Sequence, residues 1–293
     1  MWVPNQMTDR ELLDELALEA DLNLRRHVGE ASEWQAHDLV PWDDGRNFAF
    51  LGGTDWSAEQ STLSDTARLA LTVSVLVADN LPAYHRELAR HLGHVGAWWR
   101  WVGRWTAEEN RHAIVLRDYL ILTRAVDPVE LERIRMAHMT RGFVVEPMHL
   151  IDWLADCAFA EAAATIRHRN TAALDENEIV TAISTRIARD DELQTVFYAN
   201  LIGAAFDLAP DQTMRAVADR VHGFRVPEVE LPGGGDATAE LAAAGIYLPE
   251  RAPELVFGPL LEQWNVFGRT DLGETGAAAR DELVRIREFS SAR

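Results

Sequence analysis

The run from Trp98 to His112, WWRWVGRWTAEENRH, carries four tryptophans at positions 98, 99, 101 and 105, followed by a carboxylate and an imidazole, Glu109 and His112. In an α-helix, residues three apart lie on one face about a turn apart. Glu109 and His112 can therefore reach the same ion. Thr106-x-x-Glu109 also spells a capping box, and a three-residue spacing is common, so the surrounding chain decides between the two readings. Apolar positions continue at helical spacing beyond His112, which predicts one long helix over Trp98–Arg124.

Outward from that helix the pattern repeats. Helical periodicity covers Asp9–Val28, with Asp9 as the expected cap, and Ser64–His94, with a kink expected at Pro82 rather than two helices. A shorter helix starts at Asp127-Pro128. Long ones cover Leu150–Ala173 and Glu176–Leu208, and shorter pieces follow Pro210. Trp34–Ser61, with Pro41, Asp43-Asp44-Gly45 and Gly52-Gly53, reads as a loop. No segment alternates at period two and no internal repeat is visible, so the fold class is all-α. Val226–Asp236, holding Pro227, Pro232 and three consecutive glycines, reads as a linker. It divides a helical domain, residues 1–225, from a tail of short helices, residues 237–293, expected to pack on the same domain.

Composition narrows the functional classes. The chain has 293 residues, 47% of them hydrophobic, enough to bury a substantial core. A single cysteine, Cys157, excludes an internal disulfide and a cysteine-built zinc site. Basic residues number 28 against 47 acidic, a formal charge of −19, which disfavours nucleic acid as a partner. Every basic residue is arginine, so neither a Schiff-base lysine nor a P-loop lysine exists. No apolar run reaches the ~18 residues of a membrane span. The acidic, helix-patterned start is unlike a secretory or transit signal, and a cytoplasmic location is expected.

Helical bundles build metal centres from inward-facing side chains, one pattern being a Glu from each of two helices and a Glu-x-x-His from each of two others. Such a donor set suits iron or manganese. Glu109-x-x-His112 fits one such pair. Glu146-x-x-His149 contains Pro147 and lies between helices, and Asp219-x-x-His222 lies beside the linker; both read as accidental.

In this setting the EENRH run resembles the second bundle helix of the soluble acyl-carrier-protein desaturases. DNLPAY (Asp79–Tyr84) resembles that family's first ligand helix, and Phe159-Ala160-Glu161 followed by RHRNTA (Arg167–Ala172) resembles its third. RIARDDELQ (Arg186–Gln194) stands where its fourth should be, and the loop AHDLVPWDDGRNFAFLGG (Ala36–Gly53) is similar to the actinobacterial branch. The resemblance spans roughly residues 10 to 225. It implies a ferritin-like di-iron helical bundle with additional helices, usually a homodimer. It also implies an activity: the O₂-dependent removal of two hydrogens from an acyl chain on acyl carrier protein, in fatty acid or specialised lipid biosynthesis. Iron and an external electron donor such as ferredoxin would be required.

The family's ligands carry over unevenly. Glu109, His112 and Glu161 match. The first-helix Glu falls on Ala78, with Asp79 rotated about 100° away, and the fourth-helix Glu-x-x-His becomes Asp191-x-x-Gln194. Four carboxylates become three, so Glu109, His112, Glu161 and Asp191 are expected to hold one iron ion or none rather than two. His168, seven residues from Glu161 and on the same face, is expected behind the ligands or in the core. Arg86, Arg90, Arg100 and Arg104, against only Glu87, offer a basic face for an acidic carrier protein, and Arg133, Arg135 and Arg141 offer another. The altered positions keep two alternatives open: a non-catalytic homologue that binds acyl carrier protein, and a mono-metal enzyme of altered chemistry.

Overall fold

The computed structural model describes residues 6–142, 147–174, 176–225, 229, 237–247 and 249–291. Thr8 opens α1 (Asp9–Glu15) through a reciprocal capping box, its hydroxyl accepting from the Glu11 N–H while the Glu11 carboxylate accepts from the Thr8 N–H. Thr8 therefore takes the role expected of Asp9. The Asp9 carboxylate instead accepts from the Leu150 N–H at 3.0 Å, capping a helix 141 positions away in sequence. After α2 (Ala17–Glu30), the stretch expected as a loop contains a short α3 (Ala36–Leu39) and three single 3₁₀ turns. Arg124, in the left-handed region at φ 56°, organises this stretch. Its guanidinium donates to the Asn47 and Thr54 carbonyls and lies over the Phe48 ring.

The segment expected to kink at Pro82 is two helices. Ser64 caps α4 (Asp65–Asp79), and α5 (Leu81–Leu92) begins after Asn80. Pro82 then occupies the first turn of α5, where its missing N–H has no partner to lose. There follow α6 (Gly96–Leu122), α7 (Pro128–Arg141), α8 (Leu150–Ala172), α9 (Glu178–Leu208) and α10 (Pro210–Gly223). Helix α8 packs along α9, α6 packs against α4 and α9, and α2 covers α6 and α9.

Two apolar clusters are stacked along this bundle. Trp98, Trp101, Trp105, Leu154, Ala158, Phe197 and Tyr198 belong to one, and Leu71, Val75, Val115, Leu116, Ile183 and Ile187 to the other. Reading along α6 and α9, the residues between the clusters are the polar ones: Glu109 and His112, then Asp191 and Gln194. The metal-binding candidates therefore form a belt between two dry layers. Trp101, fully buried, stacks on Phe197 with centroids 3.6 Å apart, and its indole N–H donates to the Tyr198 hydroxyl at 3.1 Å.

Most of the expected linker lies outside the described residues; Val229, within it, is buried. The tail holds α11 (Ala237–Ala243), α12 (Gly258–Gln263) and α13 (Glu274–Ser291). It is not composed of short pieces alone, since α13 has 18 residues and packs along α10. Helix α11 lies against α4, and Leu241, Ile246 and Tyr247 form a third apolar cluster with Ala70, Val73 and Leu76.

Candidate metal centre

Two helices bring the candidate ligands together in the polar belt. Helix α6 presents Glu109 and His112, and α9 presents Asp191, with one donor atom from each within 4.8 Å of the others. His112 Nδ1 lies 3.5 Å from Glu109 Oε1 and 3.8 Å from Asp191 Oδ1. Glu109 Oε1 and Asp191 Oδ2 are buried with no hydrogen-bond partner. Buried carboxylate oxygens without donors are costly unless a proton or cation serves them. Two carboxylates and one imidazole converging in this way fit one divalent ion.

The charges are strongly coupled. Burial pushes the Asp191 carboxyl up to about 8, opposed by His112 and reinforced by Glu109. Burial alone would lower His112, but the charge of Glu109 and the hydrogen bond to Asp190 outweigh it and hold the imidazole well above its ordinary value.

Asp190 is the residue that sequence spacing did not single out. Its Oδ2 faces His112 Nε2 at 3.2 Å and also accepts from the Trp34 indole at 3.0 Å and from Arg111 Nη2 at 2.6 Å. Holding the Nε2 proton, Asp190 leaves Nδ1 to face Glu109 and Asp191. Arg111 and Asp190 each stand one position before a ligand candidate, a rotation that puts them beside the site rather than in it. The adjacency was visible in the sequence; the pairing of one helix's flank with another's was not.

Glu161 on α8 does not join the three-residue group. Its Oε1 accepts from the Trp105 indole at 2.9 Å. Burial first, and then the charges of Glu109 and Asp191, raise its carboxyl well above the ordinary range. It is an acid next to the centre, held by a tryptophan. His168 lies behind Asp191, with Nε2 at 3.9 Å from Oδ2, and accepts from Arg167 Nη2 at 3.0 Å.

The altered positions have separate fates. Ala78 offers no donor. Asp79 turns to α7, 3.4 Å from Arg135 Nε. Gln194 is fully buried, and its amide donates to Glu108 Oε2 at 3.3 Å, leaving Oε1 without a partner. Glu108 also holds His27 at 3.0 Å and Arg104 at 2.6 Å, so position 194 is tied to a buried ion pair.

Of the arginines read as a basic face, Arg86 and Arg90 pair with Glu87, Arg100 with Asp21, and Arg104 with Glu108. Three carboxylates thus face these four arginines, and Asp21 also pairs with Arg25. Of the two motifs read as accidental, the described residues lie outside the centre. His149 occupies the N-cap position of α8 without a side-chain cap bond and is exposed, while Glu146 lies outside the described residues; Asp219 pairs with Arg215, and His222 faces Glu282.

These features define a helical bundle with a carboxylate–histidine centre, and the chain belongs to the fatty acid desaturase family. The family model described as "Fatty acid desaturase" matches residues 8–290. The chain is 40% identical over 289 residues to DesA1 of Mycobacterium tuberculosis, provisionally named an acyl-carrier-protein desaturase, covering 96% of this chain and 86% of that one. It resembles the X-ray structure of the similarly named DesA2 of M. tuberculosis H37Rv with a TM-score of 0.72 and 35% identity, covering 88% of this chain and 96% of that chain. A chloroplastic acyl-carrier-protein desaturase 6 from Oryza sativa subsp. japonica is 28% identical over 285 residues, covering 86% of this chain and 66% of the rice protein. The all-α architecture is therefore the ferritin-like bundle of this family. Among the described residues, no helix is long and apolar enough to cross a membrane.

Proposed function

We propose that this chain is an acyl-carrier-protein desaturase-type oxidoreductase whose centre holds one divalent metal ion, with iron as the ion the donor set suits best. The observation that carries the reading is the convergence of Glu109, His112 and Asp191 with unpartnered carboxylate oxygens between two apolar layers. Bound there, iron would supply the redox chemistry that activates O₂. The chain's own residues do the rest. Glu109 and Asp191 provide the anionic oxygens, His112 offers Nδ1, and Asp190 and His168 stand behind the ligands. The adjacent layer with Trp101, Phe197 and Tyr198 excludes water. Two hydrogens leave the acyl chain, and O₂ takes them together with two electrons from a donor such as ferredoxin and two protons, giving two waters. Acyl carrier protein would present the substrate and a second copy of the chain would complete a homodimer, in the cytoplasm.

The commitment of Gln194 to Glu108 and of Asp79 to Arg135 favours a second reading, a homologue that binds acyl carrier protein without catalysis. Incubation of iron-loaded protein with acyl carrier proteins bearing saturated chains of several lengths, O₂ and reduced ferredoxin separates the two. The first reading expects a two-hydrogen mass loss that Glu109→Gln abolishes. Carrier binding without mass loss at any chain length would leave the second.

A further inference from the structure

Behind α8, α10 and the C-terminal segment border two adjoining, half-open hollows of about 380 and about 450 Å³ that share Val221, Pro253, Phe257 and Ile286. Both volumes lie in the roughly 300–1,000 Å³ range of small-molecule sites. Their charges differ. The charged residues of the first are Arg167 and Arg225, whereas Glu254 and Glu262 accompany Arg287 in the second.

Arg167 is 7% exposed. Its Nη1 donates to the Tyr247 hydroxyl at 3.0 Å and its Nη2 to His168 Nε2 at 3.0 Å, while Nε has no partner. Among the described residues no carboxylate lies within ion-pair distance of Arg167, and the Asp191 charge acts on it from beyond His168. Arg225, among the described residues, donates to the Phe224 and His222 carbonyls. A buried guanidinium with an unpartnered Nε–H and no carboxylate in contact gains a direct partner from an entering anion. One buried cation beside a phenol hydroxyl matches a planar monoanionic head, and the walls of Phe224, Val256, Phe257 and Ile286 match an alkyl chain.

We propose that the first hollow binds a straight-chain carboxylate, its head on Arg167 and the Tyr247 hydroxyl and its alkyl chain along the aromatic and aliphatic wall. The head then sits one side chain from the centre, since His168 joins Arg167 to Asp191. The inference does not depend on the metal reading, because binding is measured without turnover.

Calorimetric titration of the purified full-length chain with decanoate, octanoate and decanol tests it. Decanoate is expected to bind at one saturable site, tightening about fourfold per methylene from octanoate. Arg167→Met should weaken decanoate about tenfold or more, with decanol unchanged. Ala163→Phe, which fills the hollow and leaves the guanidinium in place, should weaken decanoate as well and decides the matter if Arg167→Met does not fold. No saturable decanoate binding, decanol binding as tightly as decanoate, or an unchanged affinity in Ala163→Phe would each overturn the proposal.

Discussion

Asp190 sets which nitrogen of His112 is available, and a single substitution isolates that role. Asp190→Asn keeps the shape but replaces the acceptor that holds the Nε2 proton. We expect metal affinity to fall by about 10- to 100-fold, the usual effect of losing a carboxylate behind a ligating histidine. Helix content should be unchanged; metal titration followed by circular dichroism reads both. His91 offers a second test at this scale, far from the ligands. Burial, then the neighbouring Arg90, pushes its imidazole down to about 4, and the ring stacks on Trp153 at 4.7 Å while Nε2 accepts from Arg90. The folded protein keeps this ring neutral, whereas the unfolded chain takes up a proton below about 6.5. The stability the neutral ring confers is thus full above that pH and is lost as pH falls towards 4. The advantage of the parent over His91→Phe should shrink across that window in urea titrations, and a difference constant with pH would contradict the assignment.

At the scale of elements, the readable features were those contained in one helix. The i, i+3 spacing put Glu109 and His112 on one face of α6, and periodicity found α8 and α9. Contacts between elements were not readable. Nothing within Asp9–Val28 shows that Asp9 will cap the helix beginning at Leu150, or that Trp34 will reach Asp190 across 156 positions. The break at Asn80 was legible only in part, because Pro82 fits both a kink and a new first turn. Asp9→Ala should cost about 1 kcal/mol of stability, the ordinary value of a lost cap, measurable by chemical denaturation. The altered positions on α4 and α9 are expected to act together. Ala78→Glu, Asp191→Glu and Gln194→His combined are expected to raise metal stoichiometry, whereas each alone is not. A lone histidine at 194 would give up the amide bond to Glu108 without gaining an ion, and a lone glutamate at 78 would bury a charge. Metal analysis of the four variants checks this, and a triple variant binding no more than the parent would contradict it.

For the whole molecule, the polar belt lies between apolar layers that hold themselves together. Most helical stability comes from such packing, so removing metal with a chelator should leave far-UV helicity and cooperative melting intact; a large loss of helix would show the ion to be structural. Three converging ligands are expected to make a one-ion centre, where the family resemblance implies two. Iron content per chain after aerobic reconstitution, in the parent and in Glu109→Ala, tests it most directly. One tightly held iron per chain, lost in the variant, is the expected result. Two per chain with an oxo-bridge absorption band, or the same iron content in Glu109→Ala, would contradict it.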